Sequence, residues 1–176
     1  MKKLLIISCL MAVTNCYAQS TKLNSKAGFG KIFIGDSTSN LRNINTMPVY
    51  GSASPNEQGE YLYYLTNAED LKLTNDLAFK DCLVKYIKEK AVEISLFFYQ
   101  NDLIKIYDIL KSAYGNPDKE ENLSGIYLCT WKTEKNLLQL YSPATGQSYI
   151  KFSSVDNIKE HIEKDKKEAM QAASKF

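Results

Sequence analysis

The chain has 176 residues, with 22 Lys plus Arg against 20 Asp plus Glu and a formal net charge of +2. Its hydrophobic fraction of 44% and charged fraction of 24% are typical of a globular protein, and the length suits one ordinary domain. A charge this close to neutral excludes a function dominated by phosphate neutralisation, because nucleic-acid binding needs a clear cationic surplus or stripe.

The first 18 residues predict a cleaved signal peptide. Two lysines follow the initiator methionine, and the apolar run over residues 4–13 is about half as long as a membrane-spanning helix requires. The small residue Ala18 suits the position before the cleavage site, so we expect residues 1–18 to be removed and the protein to be periplasmic or secreted. An alternative interpretation makes Cys16 a lipid-modified residue, as in bacterial lipoproteins.

Cleavage would leave 20 basic and 20 acidic residues, and two of the four cysteines. Because an exported protein folds in an oxidising compartment, Cys82 and Cys129 are predicted to form a disulfide. The loop of about 47 residues that it closes would contribute roughly 3 to 4 kcal/mol. The alternative is a pair of buried free thiols. Two cysteines this far apart lack zinc-site spacing, so no metal site is predicted.

The first part of the mature chain shows weak local signals. Residues 19–30 are interpreted as a flexible N-terminal segment, and residues 31–34 as a short strand. Asp36 or Ser37 could cap the helix that follows. The loop over residues 46–60 is rich in Pro, Gly, Ser and Asn, and loops of this length are often functional or disordered.

Strand periodicity dominates the middle of the chain. In residues 92–99 a wholly apolar set alternates with a mixed set, which predicts a half-buried strand. Five further strands are predicted at residues 61–65, 82–87, 126–132, 137–142 and 148–152.

Helical periodicity appears twice. Residues 104–114 carry apolar side chains at a 3.6-residue period, and Gly115 supplies the C-terminal stop. Residues 155–176 predict a charged C-terminal helix with a thin apolar stripe. Together with the strands, these helices predict an α+β domain over residues 31–154, in which an antiparallel meander sheet packs against two or three helices.

Two short patterns resemble the small two-layer α/β domains of the bacterial envelope. These are the segment Ile32-Phe33-Ile34-Gly35-Asp36-Ser37 before a short helix, and Leu110-x-x-x-Tyr114-Gly115-x-Pro117 before Trp131 and a strand hairpin. The resemblance is to outer-membrane assembly lipoproteins of the SmpA/OmlA type, and to the fold that they share with beta-lactamase inhibitor proteins. It implies a sheet that packs against helices and presents a surface to another protein.

The Gly-Asp-Ser sequence ending at Ser37 also resembles the nucleophile block of GDSL-type ester hydrolases, whose serine attacks an ester. Residues 100–102 match part of a second block of that family but lack its glycine. The third block requires an acid three residues before His161, where Ile158 stands. That resemblance would also imply a parallel sheet, whereas the alternation of strands and helices typical of one is missing.

No complete catalytic constellation or cofactor-binding motif is found, so the sequence predicts neither an enzyme nor a cofactor. We expect an exported binding or interaction module, such as an inhibitor, an immunity-type protein or an envelope-assembly accessory. Its expected partner is another envelope or extracellular protein; nucleic acid and a membrane span are not expected. Tyr50, Tyr61 and Tyr63 are the predicted contact residues, although Tyr61 and Tyr63 could instead cover the sheet. A carrier of a small apolar ligand is the alternative function.

Overall fold

The computed structural model describes residues 22–43, 46–48 and 60–173. The predicted signal peptide, Cys16 and Tyr50 lie outside the described residues. The dominant element is an eight-stranded sheet in which every neighbouring pair of strands is antiparallel. The predicted α+β fold with an antiparallel sheet is therefore confirmed.

The strands of this sheet are β3 (Thr46–Pro48), β4 (Glu60–Leu65), β7 (Asp81–Ile87), β8 (Lys90–Phe98), β9 (Lys119–Leu123), β10 (Ile126–Lys132), β11 (Asn136–Pro143) and β12 (Ser148–Ser154). Their order across the sheet is β3-β4-β7-β8-β12-β11-β10-β9. Two small hairpins lie outside it, formed by β1 (Gly28–Phe29) with β2 (Ile32–Phe33) and by β5 (Lys72–Thr74) with β6 (Leu77–Ala78). The helices are α1 (Leu103–Tyr114) and α2 (Val155–Ala173), and 3-10 helices span Thr38–Asn43, Ala68–Leu71 and Gln100–Asp102.

β8, the strand that the alternating pattern predicts, lies near the middle of the sheet. A tight turn joins it to β7, and both turn residues, Lys88 and Glu89, have positive φ values of 49° and 65°. Positive φ at both positions matches the twist of a two-residue hairpin, although glycine or asparagine is more usual there. After α1, the meander β9 to β12 returns the chain to the side of β8.

One face of the sheet, called the core face, packs against α1. Ile106 and Leu110 on the helix are buried there, together with inward side chains from β7, β8, β10, β11 and β12. α1 ends at Gly115 as predicted, with φ at 86° and its N–H donating to the Lys111 carbonyl. Trp131 is 3% exposed, and its Nε1–H donates to the Gly115 carbonyl at 2.8 Å. This hydrogen bond ties the end of α1 to β10.

The segment predicted to be flexible belongs to the domain wherever it is described. Residues 22–25 form a helical turn, and Leu23 is only 2% exposed. The buried Asn136 side chain donates from Nδ2 to the carbonyl oxygens of Leu23 and Asn24, at 3.0 and 3.3 Å. The sequence did not indicate this anchoring, because two buried side chains, Leu23 and Ala27, and a distant asparagine leave no local pattern.

The structure contradicts the prediction of a Cys82–Cys129 disulfide. Both cysteines are buried free thiols. They face the core side on strands β7 and β10, and the register connects them through Leu96, Ile150 and Leu140 on the three strands between. Four strand spacings separate the two thiols by about 19 Å, whereas bridged cysteines have Cα atoms less than about 7 Å apart.

The opposite side of the sheet, called the open face, is crossed by α2 at one end only. The first turns of α2 pass β4 and β7, where His161 Nε2 lies 3.9 Å from the Glu60 carboxylate. Beyond them the helix has no buried residue, and Met170 is 74% exposed. The predicted charged C-terminal helix is confirmed. No helix in the described ranges is long and apolar enough to cross a bilayer.

Candidate functional site

An apolar surface lies on the open face, at the end of the sheet away from α2. One cross-strand row runs from β8 through β12 and β11 to β10, and alternation places its members on the open face because their neighbours Phe98, Ile150 and Leu140 point into the core. The row consists of Phe97, Tyr149, Tyr141 and Leu128, all half-buried.

Three strongly exposed residues extend this row toward the sheet end. Tyr99 follows Phe97 by two residues in extended backbone and is 61% exposed. Ile126 and Leu123 form the last pair of β10 and β9, and they are 40% and 65% exposed. The seven residues are called the apolar surface from here on. The surface spans five strands, or about 19 Å.

The rings of the apolar surface pack on one another. Tyr141 and Tyr149 stack with centroids 5.0 Å apart and an interplanar angle of 24°, and Phe97 meets Tyr149 edge-on at 6.4 Å. Lys151 Nζ lies 5.5 Å from the centroid of the Tyr149 ring. Because neighbours already cover the Tyr149 ring, this residue offers its ring edge and hydroxyl group to a partner, and Tyr99 is the most exposed ring of the surface.

Charge around the apolar surface is mixed. Lys80 Nζ lies 4.7 Å from the centroid of the Tyr99 ring, and Lys151 lies beside Tyr149. Asp81 and Glu121 stand at the two ends of the aromatic row, because Asp81 pairs with Phe97 and Glu121 pairs with Leu128. Lys80 and Lys151 lie beside the rings, and the carboxylate at one end of the row, Glu121, is paired with Lys119 at 2.8 Å. This mixed charge pattern favours a specific partner over a uniformly charged one.

Two of the predicted contact residues, Tyr61 and Tyr63, lie on the other side of the sheet. Tyr61 and Tyr63 are half-buried on the core face, where their rings stack at 6.3 Å. Tyr63 also packs edge-on against the buried Tyr86 at 5.9 Å. Both tyrosines pack against the hydrophobic core, so their removal would affect stability as well as any binding. The structure therefore brings Tyr61 and Tyr63 together without joining them to the apolar surface.

Sequence reasoning missed the apolar surface. Its signal was present in Phe97 and Tyr99, which interrupt the polar side of the β8 alternation. The other aromatic members, Tyr141 and Tyr149, come from strands 42 or more residues away, and only the register of three strands shows that they are neighbours.

A polar cluster, separate from the apolar surface, occurs where α1 meets β9 and β10. The hydroxyl of Tyr127 donates to Glu120 Oε1 at 2.7 Å, and that of Tyr107 donates to Glu120 Oε2 at 3.2 Å. Burial and these hydrogen bonds raise the pKa of both phenols. Burial also raises the pKa of the nearby Cys129 thiol, and that of Cys82 to about 12. All four groups are protonated at neutral pH, which is the opposite of an activated nucleophile.

The residues of the ester-hydrolase resemblance serve local structure. Ser37 forms an isolated antiparallel bridge with Lys90, and its Oγ accepts from the Ser39 N–H at 3.3 Å. It therefore caps the following 3-10 helix, as one interpretation predicts. Asp36 accepts from the Phe33 N–H through Oδ2. The sheet is antiparallel throughout, so the parallel sheet that the resemblance implies is not found in the described part of the chain.

His161 lines a shallow cleft of about 220 Å³ between α2 and the β7–β8 turn, together with residues of both charges. Among the residues that the structure describes, no three His, Cys, Asp or Glu side chains are grouped so that they could hold a metal ion.

No protein-family model, curated protein or solved structure matches the chain. The site must therefore be interpreted from its own geometry.

Proposed function

We propose that this protein is an exported, non-catalytic module that binds another protein through the apolar surface of its open sheet face. The observation that carries the proposal is the contiguous apolar strip across five strands, with Tyr99, Ile126 and Leu123 strongly exposed. Contiguous exposed apolar patches on globular domains mark interaction sites, whereas single exposed leucines do not.

The chemistry of the surface favours a protein over other partners. A sugar or nucleobase would need open ring faces for stacking, whereas Tyr141 and Lys151 cover the Tyr149 ring and Lys80 lies over the Tyr99 ring at 4.7 Å. The charges beside the surface balance, with Lys80 and Lys151 against Asp81 and Glu121, so there is no cationic surplus to attract an anionic membrane. Ring edges, hydroxyl groups and two lysines suit a partner with an apolar centre and acidic groups nearby.

Two features of the sequence support export and an envelope partner. The basic start and apolar run over residues 1–18 have the form of a signal peptide. The resemblance to SmpA/OmlA-type envelope domains implies a sheet surface that binds another protein, and a partner in the envelope or outside the cell fits both features.

Mass spectrometry of the exported protein should give a mature N-terminus at Gln19, and a chain that retains residues 1–18 would contradict export by this route.

Affinity capture with a matched pair of variants tests the binding surface. Tagged residues 19–176 are prepared as wild type, as the triple variant Tyr99→Ala/Leu123→Ala/Ile126→Ala, and as the control Ile104→Ala/Met170→Ala. All five positions are exposed, so the three proteins should be equally stable. A protein retained by the wild type and control should bind the triple variant at least tenfold more weakly.

Three outcomes would contradict this proposal. Equal binding of the partner by the triple variant would place the interface elsewhere. A wild-type dimer that becomes a monomer in the triple variant would make a second copy of the chain the occupant. Retention of anionic vesicles by the wild type and not by the triple variant would show that the apolar surface binds a membrane.

A further inference from the structure

A small apolar pocket lies on the core face, separate from the apolar surface. Its volume is about 130 Å³, and it lies between α1, the β1–β2 hairpin and the sheet. The inner wall is formed by the buried residues Leu96, Ile106, Ile150 and Phe152. Interiors of proteins are close-packed, and voids larger than a water molecule are few in each domain.

The mouth of the pocket is formed by half-buried residues. Ile109, Ala113 and Tyr114 contribute one side from α1, and Gly28 with Phe29 contributes the other from β1. No charged side chain is among the lining residues of this pocket, and the phenol of Tyr114 is the only polar side chain there. A charged ligand would lose its hydration without gaining a partner, so only an uncharged apolar ligand fits.

The volume sets the size of that ligand. Pockets that take drug-sized molecules have volumes of about 300 to 1,000 Å³. An engineered apolar cavity of about 150 Å³, lined by leucine, isoleucine and phenylalanine, stays dry and binds benzene or xenon. The pocket described here is close to that smaller size, which excludes a long acyl chain.

We propose that the pocket between α1, the β1–β2 hairpin and the sheet binds an uncharged apolar molecule about the size of one six-membered ring. This site does not rest on the protein-binding function proposed for the open face, because its residues lie on the core face. It assigns the protein a small-molecule site between α1 and the sheet.

Benzene titration of the methyl-labelled protein tests this site by NMR. Saturable shifts are expected at the methyl groups of Ile106, Leu110 and Ile150, while the methyl groups of the exposed Leu123 should not move. Shifts that grow linearly up to the solubility limit of benzene, or that spread equally to Leu123, would overturn the proposal.

A variant that fills the pocket supplies the specificity control. Ala113→Leu places three more carbons at the mouth and should weaken benzene binding at least tenfold, while Ala172→Leu on the exposed part of α2 should leave it unchanged. If Ala113→Leu does not fold, Ile109→Phe fills the same mouth from the neighbouring turn. Unchanged benzene affinity in a folded pocket-filling variant would overturn the assignment of the site.

Discussion

Asn136→Ala should destabilise the domain by releasing its N-terminal segment. The Asn136 amide is 6% exposed and donates to two main-chain oxygens, those of Leu23 and Asn24. Each hydrogen bond contributes about 1 kcal/mol, so their loss should lower the free energy of unfolding by about 2 kcal/mol. For a domain of this size, that corresponds to a fall in Tm of about 4 to 8 °C.

Urea denaturation followed by tryptophan fluorescence measures this loss, because Trp131 is the single tryptophan and is buried in the core. The control is Asn122→Ala, the same chemical change at an exposed position on strand β9. It should change the free energy of unfolding by less than about 0.5 kcal/mol. Equal effects of Asn136→Ala and Asn122→Ala would refute the contact between this amide and residues 22–25.

Asn136→Asp adds a pH dependence to the same test. The introduced carboxylate would face two carbonyl oxygens, and their repulsion should raise its folded-state pKa above the unfolded value of about 3.9. The stability of the variant relative to wild type should therefore be highest below about pH 3.9, and it should fall as the pH rises through the folded-state pKa. A difference between variant and wild type that is constant between pH 3 and 7 would contradict this reasoning.

Two substitutions and one thiol titration test buried groups of the core and the β1–β2 hairpin. Tyr86→Phe should be neutral or stabilising, because Tyr86 Oη is the one buried side-chain polar atom in the described ranges without a hydrogen-bond partner; a loss above about 1 kcal/mol in urea denaturation would contradict this. Gly28→Ala should cost about 2 kcal/mol or more, since the added Cβ would clash with the Ile32 carbonyl; thermal unfolding with an unchanged Tm would be the contrary result. Without reductant, thiol titration should find no reactive group in the native protein and two in the denatured one, Cys82 and Cys129; none after denaturation would show a disulfide.

Local pattern was sufficient to predict most of the regular elements. The alternation in β8 and the 3.6-residue period of α1 come from burial of one face, which a single segment records by itself. Strand β9 was missed because an edge strand with the sequence Lys-Glu-Glu-Asn-Leu has no buried face to impose a pattern. The β5–β6 hairpin was missed since its strands are only two or three residues long.

The candidate site could not be predicted because it depends on register. Phe97, Tyr149 and Tyr141 become neighbours only after the chain has passed through α1 and returned along four strands. The return of the chain along these strands also explains why the disulfide prediction was wrong. Loop length and compartment do not tell that three strands lie between Cys82 and Cys129 in the sheet. Strand alternation puts Tyr61 and Tyr63 on one face of β4, but the sequence does not tell which face α1 covers.

Hydroxyl-radical footprinting of the protein with and without its captured partner tests whether the apolar surface is the binding site. The partner should protect Tyr99, Leu123 and Ile126 from oxidation while Tyr61 and Tyr63 keep their reactivity. Met170, on the exposed part of α2, is an internal reference that should react equally in both samples. Protection of Tyr61 and Tyr63, with unchanged oxidation of the apolar surface, would contradict binding at the open face and place the interface at the core-face tyrosines.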